Sequence, residues 1–301
     1  MSTRLSFPPS VALIVLLVAA CGSVTASPSP SGSAPSPSGA PPSSAGPTPS
    51  AAALLLKVTT EGGFIGPTAT LASLPTVVVY RDGRILTPGA TPAIFPGPLV
   101  QALTVRDVGP AAVAAILAAI GKAGLDKPGG GDPGVTADTG TTVFTVVVDG
   151  ATVTTRFGGM NGGPGKPGGN PGGNPSSAAA LDLLMRLTDP AETWGGAAAP
   201  ETTYVPTAYR VFVVPGGPEV DPTASQSSMA WPLPTALDVF GSPAVPDRGI
   251  AGLRAGVVRG ADAATLAPFL ARANAMTPVT SGGKTYTLYV RPLLPDESGG
   301  A

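Results

Sequence analysis

Two Asp-Gly dipeptides, each set between β-branched runs, constrain this chain more than any other feature. Thr76 to Leu86 places Asp82-Gly83 between Val77-Val78-Val79-Tyr80 and Arg84-Ile85-Leu86. Thr142 to Phe157 (TVFTVVVDGATVTTRF) repeats the pattern around Asp149-Gly150. Asp-Gly supplies the positive φ angles of a tight turn, and Val, Thr and Phe supply the pleated flanks, so both segments are expected to be hairpins. Hairpins generate antiparallel sheet. Further strands are expected at Leu54–Thr60, Leu99–Arg106, Tyr209–Val214, Ala255–Val258 and Thr285–Val290.

Helical spacing is rarer. Val113, Ile116, Leu117 and Ile120 mark one helix from Pro110 to Ala123, with Pro110 in its first turn and Gly124-Leu125 as a left-handed cap. A second is expected at Ser177–Leu187, and a third within Ala261–Met276, where Pro268 predicts a kink or a late start. The expected class is therefore α+β: antiparallel sheets from hairpins with a few helices packed on one face. The hairpin-then-helix units 76–123 and 142–187 hint at a repeat. Residues 54–189 and 190–301 are expected to form two α+β units, or one continuous domain. The Gly/Pro stretches 126–142 and 158–178 lack periodicity and read as disordered loops.

Composition removes whole classes of chemistry. The chain has no His and one Cys, so histidine bases, Cys/His zinc sites and internal disulfides are excluded. With 17 basic against 18 acidic residues and a net charge of −1, there is no excess of positive charge for nucleic-acid binding. Gly (41) and Pro (37) make up about a quarter of the 301 residues without a three-residue period, which excludes collagen. No cofactor and no metal site is expected.

The N-terminus carries an address. Arg4 precedes an apolar run, Val11 to Ala20, in a segment too short to span a bilayer. The run ends in Val18-Ala19-Ala20-Cys21, which resembles the lipobox of bacterial lipoprotein precursors. The resemblance implies a signal peptide over residues 1–20, cleavage before Cys21, and a diacylglyceryl group on the Cys21 sulfur. Two acyl chains of roughly 15 methylenes, at about 0.8 kcal/mol each, would hold the protein in the membrane by over ~20 kcal/mol. Localisation is then the extracytoplasmic face of the cell membrane. From Gly22 to Ala53 the chain is Ser, Pro, Gly, Ala and Thr with a single Val and no charge, so residues 21–53 read as a disordered, lipid-anchored tether. About 32 residues reach roughly 30 Å, more with proline stiffening. A glycosylated stalk would use the same composition. Segments such as LPTVVVYRDGRI and SGGKTYTLYVRPLLPDE resemble stretches of uncharacterised exported proteins of high-GC bacteria, a likeness that brings no activity with it.

Chemical motifs fail on context. Gly163 to Gly168 fits GxGxxG, but Pro and Gly on both sides prevent the helix that would hold a phosphate. Ser281-Gly282-Gly283-Lys284 fits SxxK, yet the intervening glycines predict a turn, not the helical turn that brings the amine to the hydroxyl. Asp82 and Asp149 are explained as turn residues. Asp126, Asp132 and Asp138 lack the ligand alternation of a calcium loop. Trp194, Tyr204, Tyr209 and Trp231 cluster in a Pro-rich stretch. They read either as plugs between sub-structures or as a surface that stacks on an envelope glycan or protein ligand. The expected function is a non-catalytic, lipid-anchored binding or scaffolding protein whose oligomeric state is open. The alternative is a His-independent hydrolase using Asp or Ser.

Overall fold

A computed structural model describes residues 53–63, 66–129, 131, 140–160, 175–196, 200–218, 226–244 and 249–297. The expected signal segment, Cys21, the expected tether up to residue 52, Asp132, Asp138 and most of the 126–142 and 158–178 loops lie outside them. The described residues form two sheets and three helices, the α+β arrangement expected.

The first sheet contains β1 (Leu54–Glu61), β2 (Val77–Tyr80), β3 (Arg84–Pro88), β4 (Leu103–Asp107), β5 (Thr141–Val148), β6 (Ala151–Gly158) and β7 (Thr202–Thr203). Their spatial order is β6-β5-β1-β2-β3-β4-β7, all antiparallel. Both Asp-Gly hairpins form. Asp82 accepts the Arg84 amide at 3.1 Å and pairs with its guanidinium, closing β2–β3. Asp149 and Gly150, at φ 49° and 78°, join β5 to β6 in full register from Val148↔Ala151 to Thr141↔Gly158.

Helices α1 (Gly109–Lys122) and α2 (Pro175–Thr188) pack side by side on one face of this sheet. The cap of α1 is the expected one. The Leu125 amide bonds the Ile120 carbonyl and the Gly124 amide the Gly121 carbonyl, with Gly124 at φ 67°. These are the two hydrogen bonds of a Schellman motif, and Leu125 and Ile120 both sink into the core below. That core also takes Val58, Val79, Phe144, Phe157, Ile116 and Leu183, with Phe144 and Phe157 edge to face at 5.8 Å.

The second sheet runs β10-β11-β8-β13-β12-β9. Its strands are β8 (Ala208–Pro215), β9 (Met229–Ala230), β10 (Ser242–Pro243), β11 (Arg254–Arg259), β12 (Val279–Ser281) and β13 (Lys284–Pro292). Only β9–β12 pairs in parallel among the described strands. Helix α3 (Gly260–Arg272) covers one face through Leu266, Phe269 and Leu270, against Val211, Val213, Leu288 and Val290.

Two expectations need correcting. Of the two outcomes expected at Pro268, the late start does not occur: helix α3 starts at Gly260 and runs through Pro268 to Arg272. Burial of Leu266, Phe269 and Leu270 on the core side offsets the one hydrogen bond that proline forfeits, a cost of about 3 kcal/mol in an isolated helix. The strand expected at Leu99–Arg106 begins only at Leu103, because the Leu99 amide bonds the Ala273 carbonyl and its side chain joins the second core.

The two sheets interlock through chain ends. Strand β2 alternates Val77 and Val79 toward the helices with Val78 and Tyr80 toward the opposite face. That opposite face is covered by Leu294, from the segment that follows β13, together with Tyr204 and Leu74. Around it, Asp296 receives hydrogen bonds from Lys57 Nζ at 2.6 Å and the Tyr80 hydroxyl at 2.8 Å. Arg291 donates to Glu297 from Nη1 at 2.6 Å and from Nη2 at 3.1 Å.

Candidate binding cleft

The four aromatics of the 190–235 stretch do not share a surface. Trp194 lies in the first core with its backbone at φ 56°. The Arg186 guanidinium stands 4.0 Å over its ring, and its indole Nε1 is buried without a partner among the described residues. Tyr204 packs on the outer face of the first sheet and donates to the Leu293 carbonyl at 3.2 Å. Tyr209 and Trp231 belong to the second core, where Trp231 donates to the Thr235 carbonyl at 3.0 Å and meets Phe240 and Phe269 edge to face. Burial raises the hydroxyl pKa of both Tyr204 and Tyr209. The four rings pack into three separate apolar clusters.

The SxxK residues are cross-strand neighbours at the β12–β13 turn, in the Ser281↔Lys284 pair. Ser281 Oγ accepts the Leu237 amide at 3.1 Å, and Lys284 Nζ donates to Asp238 at 3.2 Å. The two side chains are thus committed to different partners.

A cleft of about 560 Å³ opens at this end of the second sheet. Its floor is apolar: Val213 and Pro215 from the end of β8, Leu253 ahead of β11, and Tyr286 of β13. Pairing sets them side by side, since Pro215 faces Tyr286 and Arg254 faces Val213 in the ladder. Lys284 lies two residues before Tyr286 and so emerges on the same face, at the rim.

The far wall depends on a glycine. Gly241 has φ +58°, and a Cβ there would sit 2.1 Å from the Ala255 carbonyl oxygen. Without a side chain, the 238–243 segment can lie flat against β11. That contact brings the Phe240 and Gly241 carbonyls to Arg254, which donates from Nε at 2.8 Å and Nη2 at 2.9 Å. Arg254 is thereby a fixed cation beside an apolar floor. The hydrogen bond to Asp238 raises the Lys284 pKa, so this lysine stays charged across the neutral range.

Two cations, one carboxylate and an apolar floor suit a ligand with an apolar body and an anionic or carbonyl-rich edge. The cleft draws on 213–216, 238–243, 252–254 and 284–286, four segments far apart in the chain. In the sequence Lys284 stands out only within the SxxK pattern, and Arg254 in no pattern at all. No local signal marks either residue, because the juxtaposition is created by the ladder. No protein-family model, curated protein or solved structure matches the chain.

Proposed function

We propose that this protein is a lipid-anchored, non-catalytic binding or scaffolding protein on the outer face of the cell membrane. One observation carries the proposal: Val18-Ala19-Ala20-Cys21 ends an apolar run with the chain's only cysteine, and an uncharged stretch separates it from β1 at Leu54. A diacylated Cys21 would fix the protein to the membrane, and the stretch would hold the folded body clear of it. The cleft beside Arg254 and Lys284 is the surface on which an envelope glycan or protein would be held.

The hydrolase alternative draws no comparable support. Ser281 accepts a backbone amide, Asp82 is held by Arg84, and Asp149 occupies a turn. The test is fractionation of a bacterial host expressing the full chain and Cys21→Ser. The native chain is expected in the detergent phase and the variant in the aqueous phase or unprocessed. Equal detergent partition of the native chain and of a Cys21→Ser chain that has lost residues 1–20 would overturn anchoring.

A further inference from the structure

We infer that the tip of the β3–β4 loop, Ile94-Phe95, inserts into the lipid surface to which the protein is anchored, forming a second, weaker membrane contact. The inference builds on the lipid anchor proposed above.

Ile94 is 64% exposed and Phe95 73%. Among the described residues, the other exposed large apolar side chains, Met185, Val205 and Val239, stand singly, as is ordinary on a soluble surface. Here two are adjacent at the end of a long connection. The base of that connection is firmly held. The Gly89 amide bonds the Ala102 carbonyl at 2.8 Å, the Ala275 amide bonds the Gly97 carbonyl at 2.9 Å, and Leu99 is buried in the second core. The tip is thus presented outward from a fixed frame, so little ordering cost remains for a contact to repay.

The chemistry of the loop suits lipid. From Gly89 to Ala102 there is no charged residue, and Pro92, Pro96 and Pro98 lack backbone N–H groups. Fewer donors need to be stripped of water at an apolar boundary. The absence of cations also means that insertion should not depend on anionic lipid.

Size separates lipid from protein as the occupant. The two side chains expose on the order of 250 Å², whereas a stable protein interface takes about 800 Å² from each partner. A bilayer sets no such minimum. Tethering supplies the rest. A tether of roughly 30 Å, as residues 22–53 would provide, would keep the tip at an effective millimolar concentration near the surface, where a contact too weak to recruit the free protein is still populated. The loop leaves the first sheet at the end opposite to Leu54, since Pro88 pairs with Leu103 while Leu54 pairs with Tyr80. About 32 residues have a contour near 100 Å, ample to reach around the body.

The experiment places Trp at the tip of the full, acylated chain (Phe95→Trp) in phosphatidylcholine vesicles carrying brominated acyl chains. Val239→Trp is the comparator, at an equally exposed site elsewhere. Trp194 and Trp231 are buried and contribute a constant background. The expected result is quenching and a blue shift for Phe95→Trp alone, unchanged when phosphatidylglycerol is added. Quenching no greater than that of Val239→Trp would overturn the inference. A second arm uses the same tip variant on a Cys21→Ser chain that has lost residues 1–20. Quenching is expected only at millimolar lipid, and Ile94→Ser with Phe95→Ser should lower vesicle partition of that chain at least tenfold. This arm decides the loop even if the native chain fails to float with vesicles, a result that would count against the anchor alone. An unquenched tip whose serine variants lose a co-purifying envelope protein would assign the loop to a protein partner and refute insertion.

Discussion

Replacing Tyr80 with Phe tests the clasp between the two sheets and has a magnitude that changes with pH. The Tyr80 side chain is fully buried, and its hydroxyl donates to Asp296 at 2.8 Å. Burial first, and the Asp296 charge second, push its pKa far above the ordinary tyrosine range. Near neutral pH, Tyr80→Phe removes one hydrogen bond to a carboxylate, for which about 1.5–3 kcal/mol is typical. Asp296 retains Lys57 at 2.6 Å, so about 2 kcal/mol is expected.

The alkaline behaviour follows from linkage. An unfolded tyrosine loses its proton near pH 10, whereas the folded one keeps it. The unfolded state then binds fewer protons, so the stability present below pH 10 declines as pH rises, by about 1.4 kcal/mol at pH 11 for Tyr80 alone. Tyr204 and Tyr209, also raised by burial, steepen the decline of the native protein. Because Phe cannot titrate, the gap between native and variant should narrow from about 2 to about 0.6 kcal/mol between pH 8 and pH 11. Urea unfolding followed by tryptophan fluorescence measures it, with Trp194 reporting the first core and Trp231 the second. A gap that stays constant over this range, or a variant as stable as the native chain at pH 8, would refute the role given to Tyr80.

Other expectations follow from single contacts. Gly241→Ala forces a Cβ into the Ala255 carbonyl at a positive φ, and a loss of at least about 2 kcal/mol is expected by urea unfolding. Arg106 is buried and ties the Leu187 and Glu192 carbonyls at the end of α2 to β4, so Arg106→Met should cost about 2 kcal/mol and reduce helical circular dichroism. Lys284→Ala, which removes an exposed ion pair at the cleft rim, should leave the melting temperature unchanged while weakening capture of the envelope ligand by the full chain.

What could be seen in the sequence divides by range. The Asp82-Gly83 and Asp149-Gly150 hairpins and the Gly124-Leu125 cap were legible because a few adjacent residues determine them. The short strands β7, β9, β10 and β12 were not, since two or three residues become a strand only when a partner ladder supplies the hydrogen bonds. Leu99 looked like the start of a strand because its apolar neighbours suit one, but the core that claims it is built from residues after 208. Trp194, Tyr204, Tyr209 and Trp231 are close in the chain and read equally as plugs or as a binding surface, while the fold distributes them over three clusters. The cleft was invisible for the opposite reason: Arg254 and Lys284 are 30 positions apart and meet only through the β11-β8-β13 ladder.

The most direct measurement of the central claim is the mass of the N-terminal peptide of the mature protein, released by protease from the membrane fraction of a bacterial host. Anchoring requires a peptide that begins at Cys21 and carries a thioether-linked diacylglyceryl group. A mature protein that starts elsewhere, or one that starts at Cys21 with an unmodified thiol, would contradict it.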